Sequence, residues 1–69
     1  MKECCEKEAR KEITRGRGIA TCDGCGRLIL GYDNEADFKR TVDALTTSGV
    51  AFEQGRQGKL WIVAKERRG

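Results

Sequence analysis

The chain has 69 residues, including 4 cysteines and neither histidine nor proline, and its 14 basic and 11 acidic residues leave a formal charge of +3. One domain with a marginal core is the most that such a length supports, so a staple such as a metal ion or disulfides is expected and an enclosed substrate pocket is not. Without histidine there is no Cys2His2 finger, no Ser-His-Asp or Cys-His nucleophilic centre and no histidine-based metal catalysis, which directs the reading to a binding module, not an enzyme.

Residues 2–12 are charged at most positions, and Glu3–Lys7 and Glu6–Arg10 form i,i+4 pairs with the acid N-terminal to the base, which favours a helix. Only Ala9 and the cysteines interrupt the charges. The segment is therefore expected as a solvent-exposed helix, or as a stretch that orders when something binds it. Thr14-Arg15-Gly16-Arg17-Gly18 reads as a flexible basic connector, which closes an N-terminal unit of residues 1–18 ahead of a single domain at 19–65 and a polar tail at 66–69.

Ile19 to Cys22 and Arg27 to Leu30 read as short strands on either side of a turn, Cys22-Asp23-Gly24-Cys25-Gly26. Asp33 or Asn34 is a natural helix N-cap, and Glu35 and Asp37 follow in the first turn, where the helix dipole favours acids. Phe38, Val42 and Leu45 then recur at i, i+4 and i+7 on one face of a helix ending near Ser48, with Gly49 as its stop. Val50 to Gln54 alternates as a strand does, Gly55-Arg56-Gln57-Gly58 supplies a hairpin loop, and Lys59 to Lys65 returns. The pattern is an α+β fold, ββαββ, with one helix packed on a small antiparallel sheet. Its expected core sets Phe38, Val42 and Leu45 against Val50, Phe52, Leu60 and Ile62, joined by Ile19, Leu28 and Leu30. Trp61 and Val63 fall on the opposite side of the last strand.

The turn at Cys22 and Cys25 carries the clearest chemistry. Two thiolates three residues apart on a tight turn can both hold a tetrahedral ion at about 2.3 Å, and backbone amides of such a turn can stabilise the sulfur charge. Gly24 and Gly26 suit the bend. The remaining thiols, Cys4 and Cys5, are neighbours whose side chains diverge by about 100° on a regular helix, so both reach one ion only where the backbone unwinds. Otherwise one acts alone, and water, Asp23 or a second chain completes the shell. The candidate metal ligands are thus Cys4, Cys5, Cys22 and Cys25, in a monomer or a metal-sharing dimer. Zinc is the default ion, and iron suits the same ligands. Two other readings stand beside it. Cys22 and Cys25 as a redox dithiol lack the βαβ context and helix N-terminus that activate such pairs, and cysteines also serve simply as small buried hydrophobes.

Cys22-x-x-Cys25-Gly26, followed by a helix and a Trp-containing hairpin, resembles the small zinc-ribbon proteins carried by bacteriophages and prophages, in layout over residues 19–64. In that family a second C-x2-C usually follows the hairpin, whereas the corresponding stretch here, Val63-Ala64-Lys65-Glu66-Arg67-Arg68, has no cysteine. The resemblance implies a zinc ion and a contact with nucleic acid, a polymerase or another protein.

A nucleic-acid contact would draw on Arg15, Arg17, Arg27, Arg56 and Lys59 for phosphates and on Trp61 for stacking. The alternative is a protein-interaction module or inhibitor of a host protein, with Trp61, Val63 and the N-terminal segment as its surface. No stretch reads as a signal peptide or a membrane span, since the longest apolar runs are Leu28–Leu30 and Leu60–Ala64. The expected compartment is the cytoplasm, where cysteines serve as ligands or redox thiols in preference to disulfides.

Overall fold

The computed structural model describes residues 1–13 and 18–66. Its longest element is the helix that periodicity and capping predict. The Asn34 side chain accepts hydrogen bonds from the amides of Ala36 at 2.8 Å and Asp37 at 3.4 Å, which starts α2 (Glu35–Ser48). At the other end Gly49 takes φ 73°, its amide bonds the Thr46 carbonyl and that of Val50 bonds Leu45, which together terminate the helix. Because the Val50 amide is committed to this cap, the next strand starts later than the alternation suggests, at Phe52.

Four strands, β1 (Ile19–Thr21), β2 (Leu28–Tyr32), β3 (Phe52–Gln57) and β4 (Leu60–Lys65), form one sheet in the order β1-β2-β4-β3, with every neighbour antiparallel. The β3–β4 hairpin is tighter than a four-residue loop. Gln57 pairs with Leu60, leaving Gly58 and Lys59 as the turn, and Gly58 at φ 60° is the left-handed residue that a type II′ turn needs in first place. The non-local join is β2 to β4, which sets Ile29 beside Ala64, Gly31 beside Ile62 and Tyr32 beside Trp61.

The α+β class and the packed helix agree with the sequence reading, but the two faces of the sheet are used differently. Helix α2 lies on the face of Trp61 and Val63, where the Phe38 and Trp61 rings stand 6.3 Å apart and the Thr41 hydroxyl donates to the Tyr32 oxygen at 2.7 Å. Leu60, Ile62 and Ala64 instead meet the N-terminal segment, not Phe38, Val42 and Leu45 as expected. That segment forms α1 (Glu3–Glu8), extended by a wider π turn over Ala9–Ile13, and it buries Cys5 and Ala9 at 0% exposure and Ile13 at 3% against Ile29, Ile62 and Ala64.

The expectation of an exposed or unfolded N-terminus is therefore corrected: residues 1–13 share the core of the sheet. Cys5, Ala9 and Ile13 recur at i, i+4 and i+8, a stripe too narrow to register as amphipathic but wide enough to cover Ile29, Ile62 and Ala64. A β-carbon on Gly31 would collide with the Ile13 side chain, and one on Gly55 would stand 2.7 Å from Met1 Cε. The helix thus approaches closely where glycine leaves room. Among the described residues no helix is long and apolar enough to cross a membrane.

Candidate metal centre

The turn between β1 and β2 is closed by its own backbone. The Cys22 amide donates to the Arg27 carbonyl at 2.8 Å and the Gly26 amide to the Cys22 carbonyl at 2.7 Å, with Gly26 at φ 79°, a conformation costly for a residue with a β-carbon. The turn buries Cys22 and leaves Cys25 exposed. The first turn of α1 abuts it and supplies Cys4, half-buried, and Cys5, fully buried.

All four Sγ atoms lie within 4.8 Å of one another. Zinc bound by four thiolates at about 2.3 Å spaces its sulfurs by roughly 3.8 Å, so the cluster has the dimensions of such a site. Cys5 Sγ and Cys25 Sγ are 3.4 Å apart. The backbone stays helical through Cys4 and Cys5, which replaces the expectation that adjacent thiols need an unwound helix. The side chains leave the axis in different directions, and the turn packs against the helix where the two sulfurs converge. This packing depends on Gly24. A β-carbon there would stand 2.7 Å from Cys4 Cβ and 3.3 Å from Cys4 Sγ.

The thiols differ in acidity. A hydrogen bond from the Arg27 amide, aided by the neighbouring thiols, lowers Cys25 to about 7. Burial, together with hydrogen bonds to Cys22 and Cys25, pushes Cys4 and Cys5 up. Four thiolates at this spacing repel one another, and a bound divalent cation reverses that balance and deprotonates its ligands. The set can therefore hold a metal ion through sulfur alone.

Arg27 braces the turn. Its guanidinium pairs with Glu53 on β3 through Nη1 and with Glu66 through Nε at 2.9 Å and Nη2 at 2.8 Å, and its side chain is only 13% exposed. These carboxylates hold Arg27 above the ordinary guanidinium range, Glu53 contributing most, while Arg27 holds Glu53 below the ordinary carboxylate range. Arg27, predicted as a phosphate contact, is thus engaged by two acids. Trp61 is engaged as well, since Arg56 lies over its ring with Cζ 4.5 Å from the centroid and Phe38 packs against it. Lys59 is exposed in the hairpin turn. Arg15 and Arg17 lie outside the described residues.

The register separates these groups. Arg27 and the cysteines sit at the end of the sheet where Leu28 pairs with Lys65, and the Gly58-Lys59 turn lies at the end where Tyr32 pairs with Trp61. Sequence reasoning missed Glu53 as the anchor of Arg27 and Gly24 as the seat of Cys4. The i,i+4,i+8 spacing of Cys5, Ala9 and Ile13 was the signal that could have placed the helix. No family model, curated protein or solved structure matches the chain. The zinc-ribbon likeness rests on Cys22, Cys25 and Gly26, and the second pair of thiols comes from a helix before the turn, not from a segment after the hairpin.

Proposed function

We propose that this protein is a non-catalytic binding module in which one zinc ion, held by Cys4, Cys5, Cys22 and Cys25, ties the N-terminal helix to the β1–β2 turn. The observation that carries this reading is the convergence of four Sγ atoms within 4.8 Å from two elements distant in sequence. Zinc suits an all-sulfur tetrahedral set, and four protein ligands leave no open position for a substrate, which favours a structural role. A chain this short gains much from such a cross-link. All four thiols come from one chain, so a monomer satisfies the ion. Native mass spectrometry tests this: one zinc per chain is expected, lost in Cys22→Ser and in Cys4→Ser/Cys5→Ser. One zinc per two chains would mean a shared site, and none would end the proposal.

For the partner, we propose nucleic acid. Ile13 and Gly18 both meet Gly31: Ile13 through its side chain, Gly18 through its carbonyl, which accepts from the Gly31 amide at 3.0 Å. Gly31 pairs with Ile62, close to the hairpin end of the sheet. Arg56 and Lys59 lie at this hairpin end of the sheet, away from the four thiols, and Arg15 and Arg17 are the other two candidate cations of the sequence. Phosphate contact by these four cations predicts affinity for oligonucleotides that falls at least tenfold between about 50 and 200 mM salt. Arg56→Ala/Lys59→Ala should weaken it and Arg27→Ala should not. No binding at low salt, or a salt-tolerant complex with a protein, would favour the interaction-module alternative.

A further inference from the structure

The four thiols are not equivalent in access. Cys25 is exposed at the tip of the turn, Cys5 beneath it has 0% exposure, and their sulfurs are 3.4 Å apart although the residues are 20 positions apart in sequence. A small oxidant arriving from solvent meets Cys25 first, and a second thiol waits close behind it on another element. We infer that Cys25 is a peroxide-reactive site resolved by Cys5, so that oxidation exchanges the metal staple for a Cys5–Cys25 disulfide and releases the ion. The inference rests on the four-thiolate reading above.

The chemistry closes with hydrogen peroxide as the oxidant. Cys25 sulfur attacks one peroxide oxygen, the O–O bond breaks, and a sulfenic acid forms as hydroxide leaves. Cys5 sulfur then attacks Cys25 sulfur, the S–O bond breaks, and a second hydroxide departs. Two sulfurs lose two electrons in total, peroxide gains them, and two protons from solvent convert both hydroxides to water. Cys4 and Cys22 remain as two ligands, too few to retain zinc against a chelator. The new bond joins the same two elements that the ion joined, so α1 stays on the sheet. A bond between Cys22 and Cys25 would instead lie within the turn, whose backbone hydrogen bonds from Cys22 to Arg27 and from Gly26 to Cys22 already set its shape, and it would free the helix.

The test uses the full chain loaded with zinc, its occupancy first established by native mass spectrometry. One equivalent of hydrogen peroxide is added, released zinc is read with a chromogenic chelator, and the disulfide is located by tryptic mapping. Cleavage places Cys4 and Cys5 in the peptide 3–7 and Cys22 and Cys25 in the peptide 18–27. The expected result is stoichiometric zinc release with these two peptides linked, and fragmentation assigning the link to Cys5 and Cys25. Thiol reductant with fresh zinc should restore the starting mass and occupancy. Zinc retained, or zinc lost with the bond confined to peptide 18–27 or made through Cys4, overturns this inference while leaving the metal site standing. A chain that holds no zinc at the outset overturns the metal reading and the inference with it.

Discussion

Gly24 makes room for Cys4: a β-carbon at position 24 would stand 2.7 Å from the Cys4 β-carbon. The four thiols cluster because a turn and a helix meet at this point, and a single methyl group would push them apart.

Gly24→Ala should therefore separate packing from ligation. Gly24 is not among the glycines with positive φ, so alanine brings crowding without backbone strain, at a cost of about 1–3 kcal/mol. Zinc affinity should fall by roughly tenfold or more, measured by competition with a chromophoric chelator. Unchanged affinity would mean that Cys4 is not a ligand.

Removing zinc should loosen one layer only. After chelation under reducing conditions, amide hydrogen exchange in residues 4–13 should rise sharply, because α1 buries only a narrow stripe, while α2 with its own caps and the Trp61 face keeps its protection. Uniform loss of protection across both helices would show that the ion supports the whole fold.

The close approach of Ile13 to Gly31 predicts coupled mutations. Ile13→Ala should cost about 2–4 kcal/mol as a buried truncation, and Gly31→Ala should destabilise through collision with Ile13. In the double variant the new methyl occupies part of the vacated space, so its loss should be less than the sum of the two. Additivity in denaturant titrations would refute the contact.

Arg27 gives stability a definite pH dependence through Glu53. The folded carboxyl sits below its ordinary value of 4.5. Its contribution is then fully present above pH 4.5 and is lost as pH falls through the lower folded value. The stability difference between wild type and Glu53→Gln should be constant near neutrality and shrink on acidification below about pH 4.5. A difference that grows with acid would contradict the pairing.

Arg56 shields Trp61. Arg56→Ala should shift tryptophan emission to longer wavelength and cost about 0.5–1 kcal/mol, the range of an exposed cation–π contact. Emission that does not move would place Arg56 away from the ring in solution.

Much of this architecture was legible from local patterns. Asn34, the Phe38-Val42-Leu45 stripe and Gly49 mark α2 nearly to the residue, and the Gly-bearing hairpin before Trp61 is correct in kind though shorter in loop. Cys22-x-x-Cys25-Gly26 announced the turn that holds two of the thiols. The signals for these elements act within one or two helical turns, or across a single hairpin, and the side chains that carry them are neighbours in the chain.

The face of the sheet that each helix occupies was not legible in the same way. It depends on the pairing of β2 with β4, which places Gly31 beside Ile62 and so leaves room for Ile13 on that face, and on a helix whose buried stripe is only Cys5, Ala9 and Ile13. The same packing brings Cys4 and Cys5 to the turn without unwinding their helix and pairs Arg27 with Glu53 and Glu66. Periodicity and capping read the energetics of contiguous residues. Close approach between distant glycines and cysteines is a property of the assembled sheet, and there the candidate metal centre takes its form.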